Sequence, residues 1–186
     1  KVVAVVVGNA PAETLGAYGA DTVYTIPVSE DGYGSDAMVA SISRVIDEVH
    51  PHIILASASY AGKEVLPRLA AKYNSGQASE CTDLFVSDGV LVGTRPMYAG
   101  KCYANVTIQG SPAIFTVRPN SFTTAPPSSN TAAVVAMDAE TTSNRITRIS
   151  QQAATGATAD LTEAEHIISG GRSLKSKDEF DQVIRP

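Results

Sequence analysis

Val2 to Val7 is a continuous apolar, β-branched run that ends at Gly8. A run that is apolar on both faces suits a parallel strand covered by helices on both sides. Pro11 to Ala17 predicts a short helix with proline in its first turn, and Thr22 to Ile26 predicts a second strand. From Asp36 to Val49, the residues Met38, Val39, Ile42, Val45, Ile46 and Val49 fall on one helical stripe, which Ser35 or Asp36 can cap. Pro51 blocks its continuation. Ile53 to Ala56 reads as a third buried strand, and after a glycine-containing turn a helix runs from about Lys63 to Tyr73. This alternation predicts an α/β fold with a parallel sheet and right-handed crossovers.

After Asp83 the pattern changes. Leu84-Phe85-Val86, Val90-Leu91-Val92, Tyr103 to Ile108 and Ile114 to Val117 read as strands with no helix between them. Ser87-Asp88-Gly89 and Gly110-Ser111-Pro112 are turn-forming breaks. An antiparallel extension of the parallel sheet is therefore expected. Pro119 to Asn130 is rich in Pro, Ser, Thr and Asn and reads as a surface loop. Val134-Val135 and the alternating Arg145 to Ile149 predict further strands, and Gln151 to Asp160 a polar linker. In Ala164 to Arg172 a strand is expected to run into a glycine pair. Ser176-Lys177-Asp178-Glu179 then has the form of a capping box opening a helix. The expected organisation is a first domain over 1–150, a linker over 151–160 and the start of a second domain over 161–186.

Composition supports a globular chain. Of 186 residues, 44% are hydrophobic and 18% charged, and a chain of this size buries roughly two-thirds of its unfolded surface. No disulfide framework is needed, and Cys81 and Cys102 read as buried thiols in a reducing compartment. A net charge of −5 without a basic stripe argues against nucleic acid as a partner. No apolar run approaches the ~18–20 residues that span a bilayer. Asn105-Val106-Thr107 matches a glycosylation sequon but reads as strand. The abrupt opening inside an apparent buried strand at Lys1 suggests residues upstream of it.

Few residues suggest chemistry of their own. No Gly-x-Gly-x-x-Gly follows any strand. Gly62-Lys63 has part of a phosphate loop, but Ser57 stands where its first glycine belongs and Glu64 where Ser or Thr belongs. The simpler reading is that Gly62 lets a strand and a helix pack closely. His50 and His52 flank Pro51 and read as loop residues, since no Cys/His spacing makes a metal site. Cys81 lacks the partners of a nucleophile. The remaining candidate is the glycine pair followed by Arg172: glycines let the backbone approach a ligand, and a planar cation suits a phosphate or an electron-rich ring.

Ser57-Ala58-Ser59-Tyr60-Ala61-Gly62-Lys63-Glu64-Val65-Leu66-Pro67-Arg68, Ser79-Glu80-Cys81-Thr82-Asp83-Leu84, Arg95-Pro96-Met97-Tyr98-Ala99-Gly100, Thr116-Val117-Arg118-Pro119-Asn120-Ser121-Phe122 and Ser169-Gly170-Gly171-Arg172-Ser173-Leu174-Lys175-Ser176 with Phe180 stand in this order. Together they resemble segments of electron-transfer flavoprotein alpha subunits. The resemblance implies a flavodoxin-like or nucleotide-alpha-hydrolase-like sheet and a heterodimer with a beta subunit. It also implies an FAD that carries electrons from flavin dehydrogenases, such as those of fatty acid β-oxidation, to a quinone oxidoreductase, in the bacterial cytoplasm or the mitochondrial matrix. Such a protein is an electron carrier rather than an enzyme with its own substrate. By resemblance Arg172 lies against the FAD, and Ser169, Gly170 and Gly171 shape the turn beneath it.

The sequence departs from the family in two ways. Ser173 replaces the usual glycine. The family's preceding strand, central in its sheet, and most of its FAD domain are missing, which implies a gap in the sheet and weak FAD binding by this chain alone. Two other readings stand beside this one. A nucleotide-binding module of related fold would bind ATP or AMP tightly by itself. A docking subunit would carry no flavin of its own.

Overall fold

The computed structural model describes residues 1–28, 34–140, 149–150 and 166–184. The chain divides into two compact units, Lys1–Ser150 and Gln151–Pro186.

The first unit opens with β1 (Val3–Val7), a 3-10 helix (Ala12–Tyr18) and β2 (Thr22–Ile26). β1 and β2 pair in parallel from Val3↔Thr22 to Val7↔Ile26. Helix α1 (Ser35–Val49) follows, then β3 (Ile53–Ser57) and helix α2 (Tyr60–Lys72). The fold is α/β with parallel sheets, as the alternation predicts. The caps differ from expectation. Gly34 is the N-cap of α1, and no side chain among the described residues caps that end; Ser35, a candidate cap, is instead a buried first helical residue. α2 begins earlier than expected because the Ser59 hydroxyl accepts from Gly62 N at 3.2 Å.

β4 (Gln77–Cys81), β5 (Asp83–Ser87), β6 (Val90–Met97), β7 (Cys102–Val106), β8 (Ala113–Val117) and β9 (Ala133–Ala136) complete the strands among the described residues. β5, β6 and β7 form the antiparallel sheet. β8 does not join it. It lies between β3 and β4, parallel to both, because its Ile114, Phe115 and Thr116 are fully buried and only a strand covered on both faces suits such a run. β9 pairs in parallel with β2. Residues 119–130 form no helix or strand. The strand expected at Arg145 to Ile149 falls almost wholly outside the described residues.

The core lies where α1 and α2 meet β8, through Ile46, Val65, Leu66, Leu69 and Ile114. A second cluster joins Tyr24, Ile26 and Val45. The acidic last turn of α1 opposes the helix dipole, and tyrosines compensate. Tyr24 Oη donates to Glu48 at 2.8 Å and Tyr73 Oη to Asp47 at 2.7 Å. Burial, and then the Asp47 bond, push the Tyr73 phenol up to about 12.

Among the described residues β1 and β3 are not paired with each other. Their edges line a groove of about 990 Å³ whose walls include Val3, Val5, Ile53, Leu55, Ile42 and Leu69. Val2, Val5, Ile53 and Leu55 remain 58%, 37%, 43% and 54% exposed. That is unusual for parallel strands, which are ordinarily covered on both faces.

Among the described glycines of this unit, Gly62 allows the closest approach. A Cβ there would collide with the backbone carbonyl oxygen of Ser57, and that oxygen belongs to the end of β3 and cannot rotate away. Gly62→Ala is expected to cost about 1–3 kcal/mol, the range for overpacking. Urea unfolding at neutral pH checks this, and a loss below about 0.5 kcal/mol would contradict the tight strand–helix contact.

Candidate functional site

In open α/β sheets, ligands bind outside the carboxyl ends of the strands. Here those ends belong to β3, β8 and β4, beside the start of α2. A register shift between Ala78 and Cys81 interrupts β4 and throws Glu80 into the left-handed region at φ 57. Glu80 N donates to the buried Thr116 hydroxyl at 2.9 Å. Its carboxylate pairs with Lys63 Nζ and accepts from Arg118 Nη2 at 2.9 Å. Lys63 is therefore engaged by Glu80, and Gly62 by the strand end. Neither is spare for a phosphate cradle.

The bond from Lys63, and then that from Arg118, hold the Glu80 carboxyl below its ordinary value of 4.5. A depressed folded value means that the stabilisation is complete above the unfolded value and is lost as pH falls through the folded one. Wild-type stability is expected to decline more steeply below about pH 4.5 than that of Glu80→Gln. Urea midpoints measured against pH test this, and parallel profiles would refute it. This hub joins α2, β4 and the end of β8. Sequence reasoning missed it, and its only trace is the placement of Lys63, Glu80 and Arg118 within three of the quoted motifs.

The other candidates resolve simply. Cys81 is fully buried, and burial pushes its thiol up. A Cβ at Gly93 would stand 2.7 Å from Cys81 Sγ, so this is a packing thiol. Cys102 is exposed rather than buried, and both cysteines are free. Asn105 lies in β7, where its Oδ1 accepts from the Thr94 hydroxyl at 2.8 Å. His50 ends α1, and His52 precedes β3. No group of three or more metal-ligating side chains occurs among the described residues. No helix among them is long and apolar enough to cross a membrane.

In the second unit Ser169, Gly170, Gly171 and Arg172 sit consecutively and exposed ahead of helix α3 (Lys177–Val183). The strand expected to lead into them does not form over His166–Ser169. Residues 164 and 165 lie outside the described residues, and no neighbouring strand among the described ones pairs with this stretch, while a strand needs a ladder partner. Leu174 N donates to Gly171 O at 3.1 Å, closing a turn with Arg172 and Ser173 at its centre. Ser173 is not among the residues of positive φ, so serine in place of glycine costs no backbone strain here. The Ser176 cap forms, since Glu179 N donates to Ser176 Oγ at 3.2 Å, while Glu179 Oε2 accepts from Lys175 N at 2.9 Å, one residue ahead of the Ser176 N–H that a full capping box uses. Arg172 has no ion-pair partner among the described residues. An exposed guanidinium beside an unobstructed glycine fits one edge of a flavin or phosphate group. The mostly exposed helix beyond does not enclose one.

Comparison with known proteins places the chain. The family model described as electron transfer flavoprotein domain matches residues 1–142. The chain is similar to "Electron transfer flavoprotein subunit alpha" of Bacillus subtilis (strain 168), with 34% identity over 194 residues, 98% of this chain and 58% of that protein. The protein of the same name from Syntrophomonas wolfei is 34% identical over 96% of this chain and 58% of its own length. A relative from Cryptococcus neoformans, "Probable electron transfer flavoprotein subunit alpha, mitochondrial", is 33% identical over 81% of this chain and 42% of its own length. The chain thus spans a little over half the length of the bacterial relatives.

Proposed function

The chain belongs to the electron transfer flavoprotein family, and from that membership we propose that it forms part of an alpha subunit that carries electrons on FAD together with a beta subunit. In this reading residues 1–150 are the first domain, 151–160 a linker and 161–186 the opening of the FAD-binding domain. The observation that carries it is the family match over residues 1–142, and the exposed Arg172 turn that follows supports it. The groove between β1 and β3 supports a further strand between them in the complete subunit. Donors would be flavin dehydrogenases, including those of fatty acid β-oxidation, and the acceptor a quinone oxidoreductase. The compartment would be the bacterial cytoplasm or the mitochondrial matrix, as the sources of the relatives suggest.

When bound, the flavin supplies the redox chemistry, and the protein binds it and tunes it electrostatically. Arg172 would hold negative charge on the ring or phosphate at its fork of donors. Gly171 would let the backbone come close, and Ser176 and Glu179 hold the helix that follows in place. Arg172→Ala in the complete subunit, assembled with its beta partner, is expected to make flavin reduction less favourable and to weaken FAD binding. Potentiometry against a reference dye reads this, and an unchanged potential together with unchanged affinity would sink the assignment of Arg172.

A further inference from the structure

We propose that the two glycines of the Arg172 turn have separate jobs: Gly170 seats a latch of Leu174 and Phe180 that positions Arg172, and Gly171 is the face left open to the ligand. This deepens the electron-carrier reading and rests on it for the identity of the ligand. Neither glycine has a positive φ, so neither is kept for a left-handed backbone. What separates them is space. A Cβ on Gly170 would collide with Leu174 Cδ1 and stand 3.1 Å from Phe180 Cδ2. Among the described residues, a Cβ on Gly171 would meet nothing nearer than Ser173 Oγ at 3.9 Å.

Leu174 and Phe180 are half-buried in a stretch that is otherwise mostly exposed. Leu174 is also the residue whose N–H closes the turn onto Gly171 O. Arg172 is the first central residue of that turn, one step past Gly171. Phe180 is fixed in turn by α3, whose start the Ser176–Glu179 pair holds. A methyl group on Gly170 must displace the end of the Leu174 side chain and crowd the Phe180 ring, and the proposed latch transmits that displacement to the turn that the Leu174 N–H closes. Gly170 is thus a positioning residue that acts through Leu174, whereas packing among the described residues makes no demand for glycine at 171.

The test has two arms. In the 186-residue chain, Gly170→Ala is expected to speed hydrogen exchange at the Leu174 amide and in α3, while Gly171→Ala leaves both as in wild type. In the complete subunit with its beta partner, Gly170→Ala is expected to shift the flavin potential in the direction of Arg172→Ala. It should also weaken FAD binding on the order of tenfold. The Gly170→Ala/Arg172→Ala double variant should be no worse than Arg172→Ala alone, because the two act as one unit. Gly171→Ala should weaken FAD binding with the exchange pattern intact. Unchanged exchange in Gly170→Ala overturns the latch, and additive effects of Gly170→Ala and Arg172→Ala overturn its action on Arg172. A wild-type complex that holds no flavin overturns the electron-carrier reading and the ligand face at Gly171, while the exchange arm still decides the latch.

Discussion

A polypeptide that supplies a strand and helix ahead of Lys1 is expected to melt about 10 °C higher than the chain alone. The groove between β1 and β3 has the two features that specify a strand: an edge on each side and apolar walls. Val2, Val5, Ile53 and Leu55 are each 37% to 58% exposed there. Covering the exposed part of each contributes about 1 kcal/mol, or about 4 kcal/mol together. The two new hydrogen-bonded edges act against the ordering cost of the added residues. For a chain of this size each kcal/mol moves Tm by about 2–4 °C. Calorimetry on the extended and unextended chains reads the shift. Hydrogen exchange should slow across β1 and β3 and stay as before in the antiparallel sheet. Equal melting temperatures with unprotected β1 and β3 amides would mean that the groove is not a strand site.

The largest single-residue loss is expected at Phe115. Its side chain is fully buried in the middle of β8, between Leu55 of β3 and Ala78 of β4. It packs with Cys81, and Leu84, Leu91 and Val106 close over that cluster from the antiparallel strands. Phe115 thus packs across the junction of the parallel and antiparallel sheets, beside the Thr82 N–H bond to Thr94 O at 2.8 Å. Phe115→Ala is expected to cost about 3–5 kcal/mol, whereas Tyr60→Ala, at a side chain 96% exposed, should stay within about 0.5 kcal/mol. Urea titrations of both variants give the comparison. A Phe115→Ala loss below about 1 kcal/mol would show that the two sheets are held together elsewhere.

The parts of the fold that the sequence makes legible are those with strong local patterns. The Val2–Val7 run, the α1 stripe and the turn signal at Ser87-Asp88-Gly89 each sit close to the observed β1, α1 and β5–β6 hairpin. β4 was not legible, because Gln77-Ala78-Ser79-Glu80-Cys81 lacks alternation and contains a bulge. Its place in the sheet comes from β8, which lies more than thirty positions away. The position of β8 was misjudged for the same reason: which strand pairs with which is a non-local choice, and a run next to a hairpin in sequence looks like part of it. The Arg172 turn was legible as a motif. The division of labour between Gly170 and Gly171 was not, since it depends on where Leu174 and Phe180 fold back. The Glu80 hub depends likewise on a left-handed residue that no pattern announces.

The central claim is tested most directly by purifying the complete alpha subunit with its beta partner and recording the visible spectrum after gel filtration, before and after chemical reduction. The account predicts a bound flavin spectrum that bleaches on reduction and returns when electrons pass to an acceptor. A colourless complex that takes up no added FAD would contradict it.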